Sequence, residues 1–161
     1  MEFQLRSLFA LGQRKQLRSF ACECCERLLA IWDDPALRGL ISLARERIYR
    51  DVTQEELNAW LLRFDPVYDS YYPGYGDPSM PALCLAAAGE AIFTASPLDA
   101  AINAANFAAE AMAKNAASHG DDADYDQRFD EGYNSERDQQ SELLTKLSQD
   151  WDRRDLTGFP Q

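Results

Sequence analysis

Residues 13–32, QRKQLRSFACECCERLLAIW, decide the fold. Leu17, Phe20, Ala21, Cys24, Leu28 and Ile31 recur at the 3.6-residue period of an amphipathic helix. Arg18, Glu23, Glu26 and Arg27 lie off the centre of that apolar stripe. A helix with one buried face needs other helices or a sheet to bury it. The rest of the chain supplies helices. Asp34-Pro35 reads as an N-cap followed by proline in the first turn, opening a helix that turns Leu37, Leu40, Ile41, Ala44 and Ile48 inward. Thr53-x-x-Glu56 is a capping box, with Val52 placed to staple onto Leu57. The helix it starts presents Leu57, Trp60, Leu61 and Phe64, and Asp65-Pro66 is expected to end it.

Residues 66–81, PVYDSYYPGYGDPSMP, with four prolines, two glycines and four tyrosines, predict an aromatic crossover loop. Beyond it lie a small-residue helix around Leu83, Leu85, Ala88 and Ile92, and an alanine-rich one opened by Ser96-Pro97-Leu98-Asp99 and running to about Ser118. Alanine faces let backbones approach closely, so residues 82–118 are expected to form a helical hairpin. Residues 119–134, HGDDADYDQRFDEGYN, read as an acidic loop. Residues 135–152 read as a last helix carrying Leu143, Leu144, Leu147 and Trp151. No run shows the alternation of a strand. The expected fold class is all-α: residues 1–161 form a single-domain bundle of about six helices, residues 1–65 making a three-helix layer.

A chain of 161 residues that is 46% apolar is large enough to bury a core without metal or disulfide staples. No apolar run reaches membrane-spanning length, and the N-terminus, MEFQLRSLFALGQRKQ, lacks a secretory pattern. Three of the four cysteines (Cys22, Cys24, Cys25, Cys84) share one helix, which disfavours bridging geometry. These features predict a cytoplasmic protein. The net charge of −11 falls entirely on residues 66–161, which hold six Lys/Arg and seventeen Asp/Glu; residues 1–65 hold ten of each. An acidic half argues against direct nucleic-acid binding and against anionic membranes, and leaves a basic partner open.

Arg14 to Arg27, RKQLRSFACECCER, with Asp34 to Arg38, Thr53 to Leu57 and the Gln-x-x-Leu-Leu core of Glu136 to Leu147, resembles a bacterial family of helical proteins marked by an N-terminal RKLRLFACACCRR-like segment. The chain departs from that family at Ser148 to Trp151, where members carry an aromatic Phe-Gly-Asn-Pro-Phe element. The resemblance implies a helical fold and an intracellular bacterial setting. It implies no activity, cofactor or catalytic residue.

Four features could carry chemistry. Cys22-x-Cys24-Cys25 invites a zinc reading, but Cys84 and His119 bring no partner at ligand spacing, so core packing is the expectation. Cys22, expected to be the most exposed, keeps a redox alternative, with Arg18 as the cation that would activate a thiolate. His119 is expected to cap a helix C-terminus. Asp122, Asp124 and Asp126 match the opening of an EF-hand loop, but Gln127 stands where glycine is required and Tyr133 where the bidentate glutamate belongs. No phosphate-loop, nucleophile-elbow or HExxH pattern occurs, so neither catalysis nor a cofactor or metal is expected.

The expected function is therefore a non-catalytic protein-interaction module of immunity, inhibitor or adaptor type. Its partner would be a protein with a basic surface. The candidate binding residues are Tyr68, Tyr71, Tyr72 and Tyr75 of the tyrosine loop, as aromatic anchors, and the carboxylates Asp121, Asp122, Asp124, Asp126, Asp130 and Glu131. Two alternatives remain: an acidic nucleic-acid mimic, and an enzyme whose site converges near Cys22 or the acidic segment.

Overall fold

The stripe on residues 13–32 becomes helix α2 (Arg14–Arg27), extended by a 3-10 turn over Leu28–Ala30. It buries Leu17, Phe20, Ala21, Cys24 and Leu28 completely. The structure, a computed structural model, describes residues 1–10, 13–72 and 76–155, and the side chains among them except those of Ala10, Asp122 and residues 150–155. Around α2 the chain places α1 (Glu2–Ala10), α3 (Pro35–Tyr49), α4 (Gln54–Tyr71), α5 (Met80–Phe93), α6 (Pro97–Ala117) and α7 (Tyr125–Asp155). Among the described residues there is no strand, so the all-α expectation holds, with one helix more than predicted.

The caps read from sequence are formed. Asp34 accepts the Ala36 amide at 2.8 Å. Thr53 and Glu56 close the capping box, and Ser96 accepts the Asp99 amide. The alanines decide the centre of the bundle. Nine of them on α6 are buried, with Leu98, around most of its circumference, so α5, α7, α2 and α1 can all lie against it. With alanines buried on both helices, α5 and α6 pack closely along their lengths, as the predicted hairpin requires.

Three boundaries differ from the sequence reading, each for a physical reason. Helix α1 is not legible in the sequence because its apolar set is small, yet it buries Leu5 and Leu8 against the core. Helix α4 does not stop at Asp65 but passes through Pro66 to Tyr71. The proline removes one backbone donor, and the carbonyl it frees belongs to Leu62, a residue 76% exposed on the solvent side of the helix. The aromatic series Phe64, Tyr68, Tyr71 continues the helical spacing and draws the extra turns onto the core, with Phe64 against Phe93 and Tyr71 edge-on to Trp32 at 5.1 Å. The third difference is largest. Most of the expected acidic loop is the opening of α7, which starts ten residues before Ser135.

That opening is helical because its inward stripe exists but is not made of large apolar side chains. Phe129, Gly132, Glu136, Gln140 and Leu144 recur at helical spacing on the side facing the bundle. Gly132 lets α7 approach α6: a Cβ there would lie 2.8 Å from that of Ala116 and 3.1 Å from the Ala113 Cα. Glu136 and Gln140, buried, are satisfied by a polar network. Arg27 of α2 grips Glu136 with two hydrogen bonds of 3.0 and 2.8 Å. Gln140 donates to the Ala105 carbonyl of α6 at 2.9 Å and to Glu136 at 3.2 Å.

Candidate functional site

Placing residues 125–134 on a helix rearranges the acidic residues into a surface. Asp126 and Asp130 lie one turn apart, Glu131 beside them, all exposed; Asp121 and Asp124 are exposed at the helix start. Like charges at this spacing repel by a few tenths of a kcal/mol, so the helix carries them at a cost to its own stability. The one cation within residues 121–131, Arg128, is turned inward. Its guanidinium donates to the Ala117 carbonyl at 3.2 Å and to the Asp121 carbonyl at 2.5 Å, closing the end of α6, and stands 3.9 Å from Asp124. Glu131 accepts from Gln127. The backbone of Asp122 lies in a 3-10 turn over Asp122–Asp124.

Beside these carboxylates stands an aromatic pair missed by the sequence reading. Tyr125, 38% exposed, stacks on Phe129 with ring centroids 6.3 Å apart. Both line a shallow hollow with Asp77, Pro78, Glu110 and Lys114, and Lys114 ties the Pro78 carbonyl down at 2.7 Å. The far end of the predicted tyrosine loop thus adjoins the acidic helix. The tyrosines themselves are placed differently. Tyr68 and Tyr71 are half-buried on the last turns of α4 and pack against the core, Tyr68 tilted between the rings of Phe64 and Tyr72 and Tyr71 edge-on to Trp32, so they fasten α4 to the bundle. Tyr72 follows as the C-cap, and Tyr75 lies outside the described residues.

The cysteines belong to the core. Cys22 is 1% exposed and not an accessible thiol, correcting the expectation; Cys24, Cys25 and Cys84 are fully buried, and all four are unbridged. Burial, then the neighbouring Glu26 carboxylate, pushes the Cys22 thiol up to about 12, the opposite of an activated nucleophile. Arg18 does not activate it. Its guanidinium donates to the carbonyls of Ala91, Thr94 and Ala95 at 3.0, 2.8 and 2.8 Å, capping the end of α5. Among the described residues, no group of His, Cys, Asp or Glu side chains is arranged to hold a metal ion. His119 does cap α6: with its proton on Nδ1 the ring donates to the Asn115 carbonyl at 2.6 Å.

Two consequences can be measured together. A thiol reagent at neutral pH should find almost no reactive cysteine in the native protein and four after denaturation. Stability should also depend on pH in one direction. Cys22 and Cys84 are both held near 12 in the folded protein by burial, against an ordinary 9.0. The unfolded chain therefore sheds thiol protons first, and the stability these groups contribute is intact below pH 9 and lost as pH climbs toward 12. Cys22→Ala should flatten that part of a denaturation-versus-pH profile; an unchanged profile would contradict it.

No helix of the described residues is long and apolar enough to cross a membrane. No protein-family model, curated protein or solved structure matches the chain.

Proposed function

We propose that this protein is a non-catalytic interaction module that uses the exposed acidic opening of α7 to engage a protein with a basic surface. The observation that supports it is the inward turn of Arg128. Asp124, Asp126, Asp130 and Glu131 face solvent together while the cation among them closes the end of α6. A one-signed field of this kind speeds encounter and selects the sign of the partner more than it adds affinity. The holding contacts require a desolvated anchor, and Tyr125 on Phe129, in a hollow that Asp126, Asp77 and Glu110 also line, fits that role. Against the alternative of an enzyme centred on Cys22 stands the burial of a thiol with a raised pKa.

The test pairs two variants with the parent in capture from native lysate at low and high salt. Asp124→Asn, Asp126→Asn, Asp130→Asn and Glu131→Gln combined should abolish salt-sensitive capture of basic proteins. Tyr125→Ala should leave encounter intact but shorten the complex lifetime. Basic partners captured equally by the amide variant would overturn the proposal.

A further inference from the structure

At the other end of charge space, the neutral N-terminal half conceals a segregated cluster of cations. The start of α2, the end of α3 and the joint between α5 and α6 enclose a cleft of about 450 Å³. Arg14, Lys15, Arg18, Arg47 and Arg50 line it, with Asp51 as the one acid among its described lining residues. These cations are not equivalent. Arg50 is paired with Glu46 and Glu56 and lies over the Trp60 ring. Arg18 is held by the α5 carbonyls. Arg14 and Lys15 are exposed and make no ion pair among the described residues.

Arg47 is the telling residue. Its Nη1 is buried and finds no hydrogen-bond partner among the described residues. A buried donor left unmade destabilises a fold, more so when it is charged. Of the four guanidiniums that line the cleft, two, Arg18 and Arg47, are pushed below their ordinary pKa by burial, Arg18 to about 10 with Arg47 as the second cause. Like charges gathered around a concave space, with one fork unsatisfied, describe a receptor for an anion. Allowing for Glu46, Glu56 and Asp51, the five cations leave two positive charges uncompensated. That matches a phosphate monoester, which carries about −1.5 to −2 at neutral pH, better than a single carboxylate. The cleft exceeds what a phosphoryl group fills, and Tyr49 at its wall is 79% exposed, a free ring for the organic part of a ligand to lie against.

We infer that the Arg14–Lys15–Arg47 cleft is a binding site for a small phosphorylated molecule, with the Arg14, Lys15 and Arg47 head groups lining the space its phosphoryl group would fill. The site stands apart from the acidic surface of α7 and does not depend on its role.

Titration calorimetry with inorganic pyrophosphate at low ionic strength tests it. The parent should bind saturably at one site, and Arg47→Met should weaken binding at least tenfold. Arg63→Met, which removes an exposed charge outside the cleft, should leave it unchanged. Without pyrophosphate, Arg47→Met should melt at or above the parent, because it deletes an unpartnered buried donor, and pyrophosphate should raise the melting temperature of the parent and of Arg63→Met but not that of Arg47→Met. Arg14→Met and Lys15→Met, at exposed positions that cannot disturb the core, should each weaken binding severalfold. No saturable binding, equal binding by Arg47→Met, or an Arg47→Met protein that melts well below the parent would overturn the assignment. A second arm uses phosphatidylcholine vesicles containing phosphatidic acid. Binding there without binding of free pyrophosphate would also overturn the small-molecule assignment.

Discussion

Arg27→Met should destabilise the protein by about 3 kcal/mol, although it removes a side chain that is itself 30% exposed. The loss falls on its partner. Glu136 is 2% exposed, and once the two hydrogen bonds from Arg27 are gone its carboxylate keeps only the Gln140 amide as a donor among the described residues. The pair is not a store of stability in itself, because desolvating two charges offsets much of their attraction. The double variant Arg27→Met/Glu136→Leu should therefore recover most of the loss, since leucine extends the stripe toward Leu144 and Gln140 still reaches the Ala105 carbonyl. Denaturant midpoints of the two single variants and the double variant give the coupling energy directly. A double variant as unstable as Arg27→Met would show that the network is needed for packing α7 and not only for mutual neutralisation.

Phe20→Ala should cost about 3–5 kcal/mol, and Leu28→Ala about 2–5. Phe20 is the largest fully buried side chain among the described residues, on the helix that touches α1, α3, α5, α6 and α7. The buried face of α6 is built mostly of alanines, whose methyl groups cannot reach into the void. A fall in melting temperature of roughly 10 °C is expected for Phe20→Ala. The denaturant slope should stay unchanged if the whole bundle still unfolds as one unit. A change below about 1 kcal/mol would mean that the stripe on residues 13–32 is not the centre of the core.

How far the sequence reading reaches can be traced residue by residue. Where the inward stripe is apolar, as at Leu17, Phe20 and Leu28 or at Leu37, Leu40 and Ile41, both helix and buried face are legible. Where close packing or polar satisfaction replaces bulk, they are not. The register of α7 passes through Gly132, Glu136 and Gln140, a pattern that reads as loop until the groups that satisfy it are known, Arg27 more than a hundred positions away and Ala105 on α6. Pro66 misleads for a related reason, because its helix-breaking effect depends on whether the freed carbonyl meets water. The candidate acids stand out in the sequence as a cluster, but their alignment on one helix, and the inward turn of Arg128, depend on tertiary contacts. The basic cleft is invisible to composition, because ten positive and ten negative residues in 1–65 cancel in a count while segregating in space.

The most direct test of the interaction role is the association rate of a captured basic partner measured against ionic strength, for the parent and for the variant with Asp124, Asp126, Asp130 and Glu131 converted to amides. The parent should associate roughly ten to a thousand times faster at low salt than an uncharged surface allows, falling steeply as salt rises. The amide variant should start slow and stay nearly flat. Parent and variant rates that coincide at every ionic strength would contradict the account and reduce the opening of α7 to a solvated helix end.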